Sequence, residues 1–264
     1  MRDPHVSALV YRLETDETVA FDDPPPLEHE TDAFRVRLAD GVLRVEMKEH
    51  HPSEQCARER VEPYVRAWEL SEALNSGWRT IRFVFERAEI VDREPPSPGK
   101  PRGITIEVET GRYQIVGYPA RLIHGRRRYP EPTAGFAVSP DVETMWNRYE
   151  GYRAGREPLT SMAYMCLTVL EAIPDSRNTR IDVAKRYGIH PEVLSTLGRL
   201  TTVVGDERSA RKAHPTVHFR PHTAAEIAWT EAVVRALIRR VGEWAADRDG
   251  ERPKLTMSDF PPLE

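Results

Sequence analysis

The spacing of apolar residues changes once along this chain, and that change limits what it can fold into. In the first half apolar and charged residues alternate. Phe34-Arg-Val-Arg-Leu38 and Val42-Leu-Arg-Val-Glu-Met47 flank Ala39-Asp40-Gly41. Period-two alternation places Phe34, Val36 and Leu38 on one face and sends Arg35 and Arg37 to solvent, and Gly41 allows the positive φ of a tight turn, so a β-hairpin is expected. Ile104 to Glu109, Thr110-Gly111 and Tyr113 to Val116 read as a second hairpin, and Ala8 to Leu13 and Ile81 to Ala88 as further strands. Together they predict an antiparallel sheet. Ser53 to Leu74, with Val61, Tyr64, Val65 and Trp68 on one stripe, predicts a helix that covers it, with a kink or a helix junction at Pro63. Pro24-Pro25-Pro26 reads as a stiff connection, and the proline-rich Arg93 to Arg102 as a loop.

Near residue 135 helical spacing takes over. Ser139-Pro140 is a helix start, because serine can accept from a first-turn amide and proline's missing N–H costs nothing there. Val142, Met145, Trp146 and Tyr149 form its buried stripe. Leu159 to Ile173 is apolar nearly all round, as in a central helix, and Pro174 ends it. Thr223-Ala-Ala-Glu226 is a capping box that opens the last long helix. The expected fold is therefore α+β: a β-rich domain over residues 1–135, a helical bundle over 136–247 and a flexible end over 248–264. No apolar run reaches the roughly 20 residues of a membrane span. Cys56 and Cys166 lie far apart without metal-ligand spacing, and MRDPHVSALVYRLE lacks a signal-length apolar stretch. A cytoplasmic location, no membrane partner and no cofactor or metal are the expectations.

The formal charge of −4 makes the whole chain a poor polyanion ligand, so nucleic-acid binding needs a local patch. Asp175 to Arg220 carries nine Lys/Arg against five Asp/Glu. Within it, Val183-Ala-Lys-Arg-Tyr-Gly188-Ile-His-Pro-Glu-Val-Leu194-Ser-Thr-Leu197 has the pattern of a helix-turn-helix. Ala184 allows close approach, Gly188 makes the turn, and Ile189, Leu194 and Leu197 fill the core between the helices. Such a unit would read DNA with Glu192, Ser195, Thr196 and Arg199 and hold phosphates with Lys185, Arg186 and Arg199. The plain alternative is an αα-hairpin inside a bundle. Arg126-Arg127-Arg128-Tyr129 could grip a phosphate backbone and stack on a base, or serve as a solvated linker. His214, His218 and His222 could converge on zinc, but Pro215 and Pro221 forbid a regular helix across them and no general-base motif accompanies them.

Arg208-Ser-Ala-Arg-Lys-Ala-His214, placed before the capped helix, resembles the arginine-histidine element of the HEPN superfamily of helical bundles, many of them metal-independent endoribonucleases. An alternative register, Arg211 to His218, fits the same loose pattern. The resemblance covers about residues 139–245 and implies a homodimer through the helical half, with RNA as substrate. His214 would be the general acid or base and Arg208 the group that stabilises the phosphate, with Arg211 and Lys212 adding to RNA binding. The other reading is a non-catalytic scaffold that binds DNA or a protein. If the resemblance holds, the protein cleaves RNA in the presence of a chelator and His214→Ala abolishes cleavage while the circular dichroism spectrum is kept. Undiminished cleavage by that variant would remove the assignment.

Overall fold

The computed structural model of the protein describes residues 3–93, 124–172, 179–202 and 220–263. The chain forms two units: one from Met1–Val65 with Thr80–Glu131, the other from Arg66–Arg79 with Pro132–Glu264.

The first unit is built on a five-stranded antiparallel sheet of order β3-β4-β5-β1-β6, from β1 (Pro4–Thr15), β3 (Leu27–Glu30), β4 (Phe34–Ala39), β5 (Val42–Met47) and β6 (Ile81–Asp92). The expected hairpin is β4–β5. Ala39 pairs with Val42 across a two-residue turn in which Asp40 and Gly41 both have positive φ, +51° and +74°, as a turn matching the strand twist requires. Alternation then divides the faces. Phe34, Val36, Leu38, Leu43, Val45 and Met47 are buried. On the other side charges pair across strands, Arg44 with Glu89 at 2.8 Å and Arg37 with Glu28 at 3.7 Å. Interior strand β1, between β5 and β6, has four successive buried residues, Ala8 to Tyr11, so both of its faces are covered there.

Helix α1 (Glu54–Ser76) runs through Pro63 without a break. The expected junction does not form. Proline removes one backbone donor, and buried residues secure the helix on both sides of it: Ala57 and Val61 before, Val65, Leu70, Ala73 and Leu74 after. Its first half lies on the sheet. Tyr64 meets Phe34 edge-on at 5.2 Å and the Arg58 guanidinium lies 4.3 Å from the Phe85 ring centre. A short parallel pair, β2 (Val19–Phe21) with β7 (His124–Arg126), completes the described strands of this unit. The second expected hairpin, residues 104–116, lies outside the described residues.

The helical unit consists of α1 from Arg66 onward, α2 (Pro140–Arg153), α3 (Leu159–Glu171), α4 (Thr179–Tyr187), α5 (Pro191–Thr202) and α6 (Ala224–Ala246). Arg66 forks onto Glu143 at 2.6 and 2.8 Å, and Arg79 onto Glu150 at 3.1 and 3.2 Å. These pairs join 66–79 to α2, although a boundary near 135 is what the sequence suggests. Trp146, Met162, Cys166, Leu194, Leu197, Trp229 and Leu237 sit in its core, each 0% exposed. Burial pushes the Cys166 thiol up to about 12, whereas Cys56 is exposed. Among the described residues no helix is long and apolar enough to cross a membrane.

The C-terminal segment is docked rather than free. Leu255 donates its amide to Gly188 O at 2.9 Å and accepts from the His190 amide at 2.7 Å, while Phe260 meets Trp229 edge-on at 6.0 Å. Proline and glycine break up this segment, which has one 3-10 turn at Met257–Asp259 and otherwise satisfies backbone groups against a helix pair.

Helix starts follow the sequence closely. Ser139 Oγ accepts from Val142 N at 3.3 Å. In the capping box Thr223 Oγ1 accepts from Glu226 N at 3.2 Å and Glu226 Oε2 accepts from Thr223 N at 2.9 Å. Arg220 also forks onto Glu226, and that bond, helped by the Thr223 amide, holds the carboxyl down to about 2 against the opposing effect of burial. A depressed carboxyl contributes stability above its unfolded value of 4.5 and loses it as pH falls towards about 2. Glu226→Gln is therefore expected to cost about 1 kcal/mol at pH 7, the scale of a helix cap. The gap from wild type, read by urea unfolding, should close as the pH is lowered to about 2; a pH-independent gap would contradict the ionic origin.

Candidate nucleic-acid interface

Helix α4 ends where Gly188 takes a φ of +61°, a left-handed conformation that costs an L side chain roughly 1–2 kcal/mol. The next amide, Ile189 N, returns to Ala184 O at 2.9 Å and closes the helix, and α5 starts at Pro191. Val183, Ala184, Ile189, Val193, Leu194 and Leu197 are buried between and behind the helices. The paired helices expected from the sequence are present, with the turn at the expected glycine.

What α5 leaves outside is a polar stripe. Glu192, Ser195, Arg199 and Thr202 are exposed and Thr196 is half-buried. Thr202 is satisfied by Gly198 O at 2.8 Å. Glu192 lies 3.9 Å from His190 at the closest charged contact. Lys185 and Arg199 are exposed and pair with no carboxylate of the described residues.

Arg186 has a different setting from the one its place in the basic run suggests. Its guanidinium lies 5.2 Å from the Trp244 ring centre, Arg248 lies 4.9 Å from the same ring, and Tyr187 meets that ring edge-on at 5.6 Å. Cation–π attraction thus fastens α4 to the end of α6 and to the first residue of the strip. Neither Trp244 nor Arg248 carries a sequence signal for this, because the partners are about sixty residues from α4. Beside them, Arg180 is held by Glu171 at 2.9 Å and fills the space over Gly198 that a side chain there would need.

The other candidate residues separate. Arg126 lies in β7, and Arg127 and Arg128 follow it as exposed side chains of the first unit. Tyr129 beside them is no base-stacking platform. It is 6% exposed, its ring meets Phe21 at 4.9 Å, and its hydroxyl accepts from Gly41 N at 3.1 Å, so it braces the β4–β5 turn. His222 sits 3.2 Å from Leu200 O and ties the start of α6 to the end of α5. Arg208, Arg211, Lys212, His214 and His218 lie outside the described residues. Compared with protein-family models, with curated proteins and with solved structures, the chain matches none.

Proposed function

We propose that the helical unit binds duplex DNA, with α4 and α5 as the docking element. One observation carries the reading. The left-handed turn at Gly188 sets two amphipathic helices against a shared core, while the outer stripe of α5 is exposed and, among the described residues, Lys185 and Arg199 pair with no carboxylate. A helix placed this way enters the major groove with its N-terminal half towards base edges. Ser195 and Thr196 offer hydroxyls that donate or accept there, and Glu192 accepts from a cytosine amino group. Arg199 and Lys185 supply phosphate contacts, which fix register rather than sequence. Two such cations on a chain of charge −4 give modest, salt-sensitive affinity. Pairing of two copies through the helical unit would present two docking elements to a two-fold site and raise the affinity by avidity.

The test is titration of the full chain with a short duplex across a series of salt concentrations. Lys185→Glu and Arg199→Glu should each weaken binding about tenfold at low salt, and replacing either residue by Ala should reduce the slope of log affinity against log salt by about 1. Ser195→Ala should narrow the gap between preferred and random sequence without changing that slope. Duplex affinity unchanged in both charge-reversal variants would overturn the reading. Equal or tighter binding of single-stranded RNA would do the same.

A further inference from the structure

Away from α4 and α5, the helical unit holds a cleft of about 320 Å3 bordered by Arg235, Arg239 and Arg240 of α6, Asn75 of α1, and Asp259 and Phe260 of the C-terminal strip. Its charges are not balanced. Arg240 is engaged by Glu243 at 2.9 Å, and Asp259 accepts from the amide and hydroxyl of Thr256 at 2.7 and 2.9 Å. Among the described residues, Arg235 and Arg239, one helical turn apart, meet only neutral oxygens. Arg239 donates to Asn75 Oδ1 at 2.7 Å and Ser71 O at 3.5 Å, and Arg235 to Leu74 O at 3.4 Å. The Arg235 Nε is buried with no acceptor. Like charges at this spacing oppose a helix, and a buried guanidinium N–H left unpaired costs more than an ordinary lost hydrogen bond. Burial and the neighbouring Arg235 and Arg240 pull the Arg239 pKa below its usual value, with Glu243 acting against them.

The chain also makes room for these groups. Gly77, at a φ of +81°, sits where a Cβ would come within 3.3 Å of the Arg235 Nη1. Leu74, Ala236, Leu255 and Phe260 give the cleft an apolar wall beside the two cations. A planar guanidinium fork suits the oxygens of a phosphate, and a volume near the lower end of small-molecule sites suits a single compact ligand.

We infer that this cleft binds a phosphomonoester with a flat apolar body, the chemistry of a nucleoside monophosphate, its phosphate held by Arg235 and Arg239 and its ring lying along Phe260 and Leu255.

The experiment is isothermal titration of the full chain at low salt with adenosine and uridine 5′-monophosphates, inorganic phosphate and the uncharged nucleosides. A monophosphate is expected to bind at least tenfold more tightly than either phosphate or nucleoside. Arg235→Gln and Arg239→Gln, which keep donors for Leu74 and Asn75, should each weaken it tenfold or more. Arg156→Gln, on an exposed arginine outside the cleft, should leave it unchanged. Phe260→Leu should erase the advantage of the monophosphate over inorganic phosphate, with thermal melting confirming that each variant is folded. No saturable monophosphate binding, binding undiminished in both cleft variants, or phosphate binding as tight as the monophosphate would each overturn the inference.

Discussion

Gly188 turns the chain from α4 into α5 at a φ of +61°, and its carbonyl receives the amide of Leu255, so a single backbone position both ends a helix and docks the C-terminal strip. Much of the helical unit follows from that arrangement. Ile189 enters the core immediately after the turn, α5 starts two residues later, and the strip that begins near Arg248 has a backbone partner to run along. Once docked, the strip carries Arg252, which caps Glu243 O at 2.9 Å, and Phe260, which covers Trp229. A side chain at 188 would meet a conformational penalty where four segments of the unit depend on the same φ.

In the first unit the governing constraint is the two-residue period. Once Phe34, Val36 and Leu38 face inward, Arg35 and Arg37 must face out, and β3 can pair beside them with only one apolar residue, Leu27, because Glu28 and Glu30 meet those arginines across the ladder. Helix α1 then answers to two environments. Its first half follows the sheet through Tyr64 and Arg58, and its second half follows α2 through Arg66. Pro63 stands close to the division between them.

Features encoded by neighbouring residues were readable in the sequence. Asp40-Gly41, Ser139-Pro140, Thr223 with Glu226 and the apolar spacing around Gly188 all act over a few residues, and each forms the element its local chemistry demands. Features encoded by distant partners were not. The transfer of 66–79 to the helical unit rests on Glu143 and Glu150, more than seventy residues away. Docking of the strip rests on backbone groups, which leave no side-chain signature. Tyr129 looked like an aromatic beside a basic run, but its hydroxyl belongs to the Gly41 turn 88 residues earlier. Arg235 and Arg239 carry no local signal, and only the nearness of Leu74, Asn75 and the strip makes them a cleft. Of the candidate site residues, Lys185, Arg186 and Arg199 fall on one helix pair, with Arg186 bound to Trp244.

The proposed docking surface on α4 and α5 is made by short-range sequence and braced by long-range contacts. Amide chemical shifts of the full chain, followed as a short DNA duplex is added, test it most directly. The account predicts that the largest changes fall on Lys185, Ser195, Thr196 and Arg199, while the β4–β5 hairpin stays unmoved. Changes confined to Arg126–Arg128 or to the sheet would contradict it.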